Sequence, residues 1–130
     1  MEILKTEGLG FSYGEGKFAL KDVSISIKEN EFTSIIGRNG SGKSTLVKLL
    51  SGIHTNPEGK VIFKGGNVAS YDRKALSRNL CYLPQSGVVF TDRISVKDFL
   101  LLGRYSYKNF SDFRYNDDDE TVVNESLLTA

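Results

Sequence analysis

The chain has 130 residues, 39% hydrophobic and 25% charged, with a formal net charge of +1. That is enough chain for one domain with its own core, and the composition is not that of a disordered segment. A charge this close to zero excludes the electrostatic footprint of a protein that wraps nucleic acid or coats an anionic membrane.

The charge is uneven. Met1 to Gly103 carries 14 basic and 10 acidic residues, whereas Arg104 to Ala130 carries 3 basic and 6 acidic, so the basic front suits a phosphate ligand. The single cysteine, Cys81, excludes an internal disulfide and reads as a buried structural thiol in a reducing compartment. Charges interrupt the apolar residues from Met1 to Glu7, so this stretch cannot supply the core of a secretory signal. No run approaches the roughly 20 apolar residues that span a bilayer. The expectation is a soluble, cytoplasmic chain whose membrane contact goes through a partner.

Alternation of Val23, Ile25 and Ile27 with polar residues predicts two antiparallel strands over 2–12 and 18–28, joined across Tyr13-Gly14-Glu15-Gly16-Lys17. Phe32-Thr33-Ser34-Ile35-Ile36 predicts a third strand that stops at Gly37 and, lacking clean alternation, is covered on both faces. Leu46, Leu49, Leu50 and Ile53 then recur at i, i+3, i+4 and i+7, one face of a helix, with Gly52 as its stop. A strand at Lys60–Lys64 runs into Gly65-Gly66. A short helix at Asp72–Ser77 follows, then a strand at Leu80–Leu83 leading into Pro84-Gln85. Ser95 reads as a helix N-cap with Asp98 at the third helical position, followed by Phe99 to Leu102 and a glycine stop at Gly103. A loop bearing Tyr105, Tyr107, Phe110, Phe113 and Tyr115 leads to Asp117-Asp118-Asp119-Glu120, which opens another helix with acidic residues on its N-terminal dipole.

The segment Gly37-Arg38-Asn39-Gly40-Ser41-Gly42-Lys43-Ser44-Thr45 fits G-x-x-x-x-G-K-[ST], between a predicted strand and a predicted amphipathic helix. Glycines admit backbone conformations that let successive N–H groups curl around an anion, and the helix aims its positive dipole end at the same point. Lys43 adds an ammonium for the β- and γ-phosphates, and the Ser44 hydroxyl is placed to ligate Mg²⁺. The motif predicts nucleotide binding through residues 37 to 45.

The neighbours of this loop resemble the ABC transporter ATPases. Phe11-Ser12-Tyr13-Gly14 stands where that family has an aromatic A-loop residue, and Tyr82-Leu83-Pro84-Gln85 is similar to its Q-loop element. The resemblance implies that the Tyr13 ring stacks on adenine and that Gln85 contacts Mg²⁺ and senses the γ-phosphate. Read from the residues alone, the alternative for Tyr13 is a turn aromatic packed on its own hairpin, and for Gln85 a polar loop residue. Ser95 to Tyr105, with its Leu-Gly-Arg-Tyr element, together with the aromatic loop and Asp119 to Leu128, resembles the branch that energises uptake of iron–siderophores, haem or cobalamin. Without the resemblance, the same element is a short core helix with a glycine stop and a solvated arginine.

The implied fold is α/β, a P-loop NTPase core with an N-terminal antiparallel β-subdomain. Residues 1–94 form that subdomain and the P-loop core, and 95–130 begin a helical subdomain that is cut short. The resemblance further implies ATP and Mg²⁺ as cofactors. It implies permease subunits and a second ATPase domain as partners, and a peripheral location at the inner face of the membrane. The chain lacks the Leu-Ser-Gly-Gly-Gln signature, a Walker B strand with its carboxylates, and a switch histidine. Asp117 to Glu120 is an acidic helix start rather than a Walker B, and His54 comes too early for the switch histidine and reads as an exposed loop imidazole. The expectation is a fragment that holds nucleotide without turning it over and self-associates. A catalytically inactive P-loop module that binds or oligomerises is the alternative.

Overall fold

The computed structural model describes residues 1–14, 17–85, 94–108 and 114–129. Glu15 and Gly16 of the first predicted turn, and Phe110 and Phe113 of the aromatic loop, lie outside the described residues. The chain forms two compact units, Met1–Tyr82 and Leu83–Ala130.

The first unit is built on β1 (Glu2–Ser12). It pairs antiparallel with β2 (Phe18–Val23), β3 (Ser26–Lys28) and β4 (Glu58–Phe63), and β5 (Gly66–Asn67) extends the sheet beyond β4. The continuous strand expected over 18–28 is broken in two, with Asp22 in the left-handed region at φ 51°. Thr6 explains how the break is tolerated. Its buried hydroxyl donates to the Val23 carbonyl at 2.8 Å and accepts from the Ile25 N–H at 3.0 Å. The backbone groups left unpaired at the interruption are thus satisfied by a side chain.

Helix α1 (Lys43–Leu50) packs on this sheet, its Leu46, Leu49 and Leu50 clustering with Leu9, Leu20, Val61 and Phe63. Eight residues are too few to be helical alone in water, so α1 depends on this contact, where each buried leucine contributes about 1.5–3 kcal/mol. The helix ends at Ser51 with Gly52 left-handed at φ 72°, as the stop signal requires; Ile53 falls beyond it and is exposed. A short α2 (Arg73–Ser77) follows, capped by the Asp72 carboxylate, which accepts from the Ala75 N–H at 3.1 Å.

Two predicted strands do not form. Residues 31–38 adopt no regular element, and Phe32 and Ile36 are 94% and 93% exposed rather than covered on both faces. The 80–83 segment is also irregular, and Cys81 is exposed rather than a core thiol. A strand buried on both faces needs a ladder neighbour and covering layers. Among the described residues, neither segment pairs with any strand.

In the second unit, α3 (Val96–Gly103) starts at Ser95, whose hydroxyl accepts from the Asp98 N–H at 3.1 Å and donates to its carboxylate at 2.6 Å. Gly103 is not a left-handed stop: its φ is −62°, and the chain continues into a 3-10 turn over Arg104–Tyr107. Helix α4 (Asp117–Thr129) opens with the expected acidic run. Asn116 and Asp119 cap its start reciprocally, each side chain accepting from the other's N–H, at 2.8 and 3.3 Å. Arg104 is not a solvated arginine: its Nε lies 2.8 Å from the Asp119 carboxylate, and its guanidinium sits over the Tyr107 ring. No helix among the described residues is long and apolar enough to cross a membrane.

Candidate functional site

The loop from Gly37 to Gly42 stands on the N-terminus of α1, and β2 fixes its position. Gly42, the residue before the helix, has φ 91° and ψ 3°. A Cβ there would meet the Ala19 carbonyl oxygen at 2.5 Å and Leu20 Cδ2 at 2.7 Å. Glycine therefore serves two needs, a left-handed turn and close approach to the β2 backbone. Within the loop, the Ser41 N–H donates to the Arg38 carbonyl at 3.1 Å and Gly40 is left-handed at φ 80°. A Cβ on Gly37 would meet Ser41 Oγ at 2.7 Å.

Among the described residues no side chain caps α1, which leaves its first-turn N–H groups to an external acceptor. Lys43 folds back over the loop, its Nζ donating to the carbonyls of Gly37 at 2.7 Å and Arg38 at 2.8 Å. Arg38, Asn39, Ser41 and Ser44 are exposed on the same loop and first turn. An ammonium on a flexible stem, an uncapped helix start and a turn built on Gly42 are a set of donors that can receive a polyphosphate.

Thr45, expected in the cradle, is 7% exposed, and its Oγ1 lies 3.0 Å from the Tyr13 hydroxyl. That hydroxyl is also 3.0 Å from His54 Nε2. Phe11, Tyr13 and His54 form an aromatic cluster beside α1: the Phe11 and His54 rings stack in parallel at 5.0 Å, and Tyr13 stands perpendicular to both. His54 is therefore half-buried and hydrogen-bonded, not an exposed loop imidazole. Tyr13 itself is 63% exposed. The structure thus joins Tyr13 to the P-loop helix through Thr45. Sequence reasoning missed His54 because a lone histidine in a polar loop carries no periodic or motif signal.

Gln85 is exposed and belongs to the second unit. A separate hollow of about 300 Å³, lined by His54, Asn56, Tyr71 and Arg73 among others, involves none of residues 37–45.

The family model described as ABC transporter matches residues 20–128. The chain is 41% identical over 100 residues to the lactococcin-A transport/processing ATP-binding protein of Lactococcus lactis subsp. lactis, covering 77% of this chain and 14% of that protein. It is 32% identical over 128 residues to the iron(3+)-hydroxamate import ATP-binding protein of Bacillus subtilis (strain 168), covering 98% of this chain and 46% of that one. It also resembles the solved structure of an ABC transporter described as metal-chelate type, in an inward-facing conformation. The TM-score is 0.74 at 26% identity, over 98% of this chain and 44% of that chain. The chain spans less than half the length of each of these proteins.

Proposed function

We propose that this chain, which belongs to the ABC transporter family, is the ATP-binding part of an importer ATPase that couples ATP hydrolysis to uptake of an iron–siderophore or related metal chelate. The observation that carries the nucleotide reading is the start of α1, uncapped among the described residues, beneath a glycine turn, with the Lys43 ammonium bonded to loop carbonyls. Backbone N–H groups at 37–45 and Lys43 hold the phosphates, and Tyr13 offers its ring to the adenine. Mg²⁺, when bound, would neutralise charge on the phosphate oxygens, and the Ser44 hydroxyl, exposed on the first turn of α1, is the group in this unit that would hold it.

The importer branch is supported by similarity to the hydroxamate-import protein that runs through 98% of the chain, α3 and α4 included. In the complete protein, permease subunits and a second ATPase domain are the partners, and the ATPase sits at the inner face of the membrane through them. Peptide export is the competing reading, favoured by the 41% identity to the lactococcin-A protein. Deleting the gene in its host should abolish uptake of a radiolabelled ferric chelate and leave peptide secretion intact. The converse result would establish the exporter reading.

The 130-residue chain is expected to hold nucleotide without hydrolysing it, because its sequence has no signature motif and no Walker B carboxylates. Turnover above that of a Lys43→Ala control would contradict this.

A further inference from the structure

The geometry points to His54 as a positioning residue for the Tyr13 ring, so that base selectivity is set in part from the loop behind α1; this rests on reading Tyr13 as the adenine-stacking residue. His54 is firmly placed. Its N–H and that of Ile53 both turn back to the Lys48 carbonyl, at 3.2 and 2.9 Å. Its ring lies parallel to Phe11, 10° between planes, and Phe11 in turn packs against the core.

From there Nε2 reaches the Tyr13 hydroxyl at 3.0 Å, while the buried Thr45 Oγ1 holds the same oxygen from α1. The tyrosine is thus pinned at its hydroxyl by two groups, yet most of its surface stays open to a flat ligand. A phenol has one hydrogen, and the chain of three closes with either histidine tautomer. If Nε2 is bare, Tyr13 donates to it and accepts from Thr45; if Nε2 carries the proton, it donates to Tyr13, which donates to Thr45. What is needed is a ring nitrogen in that place. An exposed ring held in one orientation before the base arrives loses less freedom on stacking, so the anchor appears as affinity for the base and not for the phosphates.

The test is calorimetric titration of the 130-residue chain with Mg-ATP and with magnesium tripolyphosphate. His54→Phe keeps a flat ring against Phe11 and removes the hydrogen bond, and thermal melting of each variant checks its fold. His54→Phe should weaken Mg-ATP by about three- to tenfold, the scale of one hydrogen bond, and leave tripolyphosphate unchanged. In a Tyr13→Phe background, which lacks the hydroxyl, the same substitution should have no further effect on Mg-ATP.

Equal weakening of both ligands, an unchanged Mg-ATP affinity, or an effect that persists without the Tyr13 hydroxyl would each overturn the role of His54 alone. If the unmodified chain binds tripolyphosphate as tightly as Mg-ATP, adenine stacking at Tyr13 fails and the inference about His54 falls with it.

Discussion

The ammonium of Lys43 lies 2.7 Å from the carbonyl oxygen of Gly37, folded over the loop that precedes its own helix. Both carbonyl partners are exposed, so water replaces them at little cost when the side chain is removed. Lys43→Ala should therefore lower the unliganded melting temperature by no more than a few degrees. A collapse of the fold on this substitution would show that the lysine is structural.

Gly42 is the opposite case. At φ 91°, with a Cβ position 2.5 Å from the Ala19 carbonyl, Gly42→Ala carries both backbone strain and a clash with backbone that has no room to yield. The expected loss is about 2 kcal/mol or more, measured by urea unfolding. Gly103→Ala, at φ −62° at the end of α3 with no described residue near its Cβ, should be neutral or stabilising. Equal effects for the two would contradict the geometry of the loop.

Asp119 makes the second unit sensitive to acid. The hydrogen bond from Arg104, followed by the Asn116 N–H and the nearby positive charge, outweighs desolvation and holds its carboxyl below the usual aspartate range. A carboxyl whose folded pKa is depressed contributes stability that is fully present above its unfolded value near about 3.9. That contribution is lost as pH falls through the folded value. Asp119→Asn should lower helix content at neutral pH and flatten its decline below about pH 4, read by circular dichroism. An acid limb identical to that of the unmodified chain would contradict the assignment.

Phe32 and Ile36 are almost wholly exposed on a segment with no ladder partner among the described residues. Large exposed apolar groups and unpaired backbone recruit other chains. The chain should self-associate in a dilution series followed by light scattering, and Phe32→Lys with Ile36→Lys should shift it toward monomer. A compact monomer at every concentration would contradict this.

What was legible in the sequence was what local chemistry decides. Ser95 with Asp98 and Gly52 after α1 each act within a few residues, and each appears where expected. The segments at 32–36 and 80–83 have the composition of strands, but a strand exists only against neighbours, which composition does not supply. Asn116 and Asp119 close a local cap, but the pairing of Asp119 with Arg104 spans 15 positions, and no spacing rule marks it. In the candidate site, Lys43 and its glycines were readable as a motif, whereas the contacts of Tyr13 with Thr45 and His54 depend on how β1 and α1 pack and carry no signature.

The most direct test of the account is a thermal melt of the 130-residue chain against increasing Mg-ATP, beside Lys43→Ala. A ligand that binds the folded state alone adds about 2.7 kcal/mol at a hundred times its Kd, so the melting temperature should climb by several degrees and keep rising with the logarithm of concentration. The Lys43→Ala chain should show no shift over the same range. No shift in the unmodified chain, or an equal shift in both, would contradict the assignment of residues 37 to 45 as a phosphate cradle.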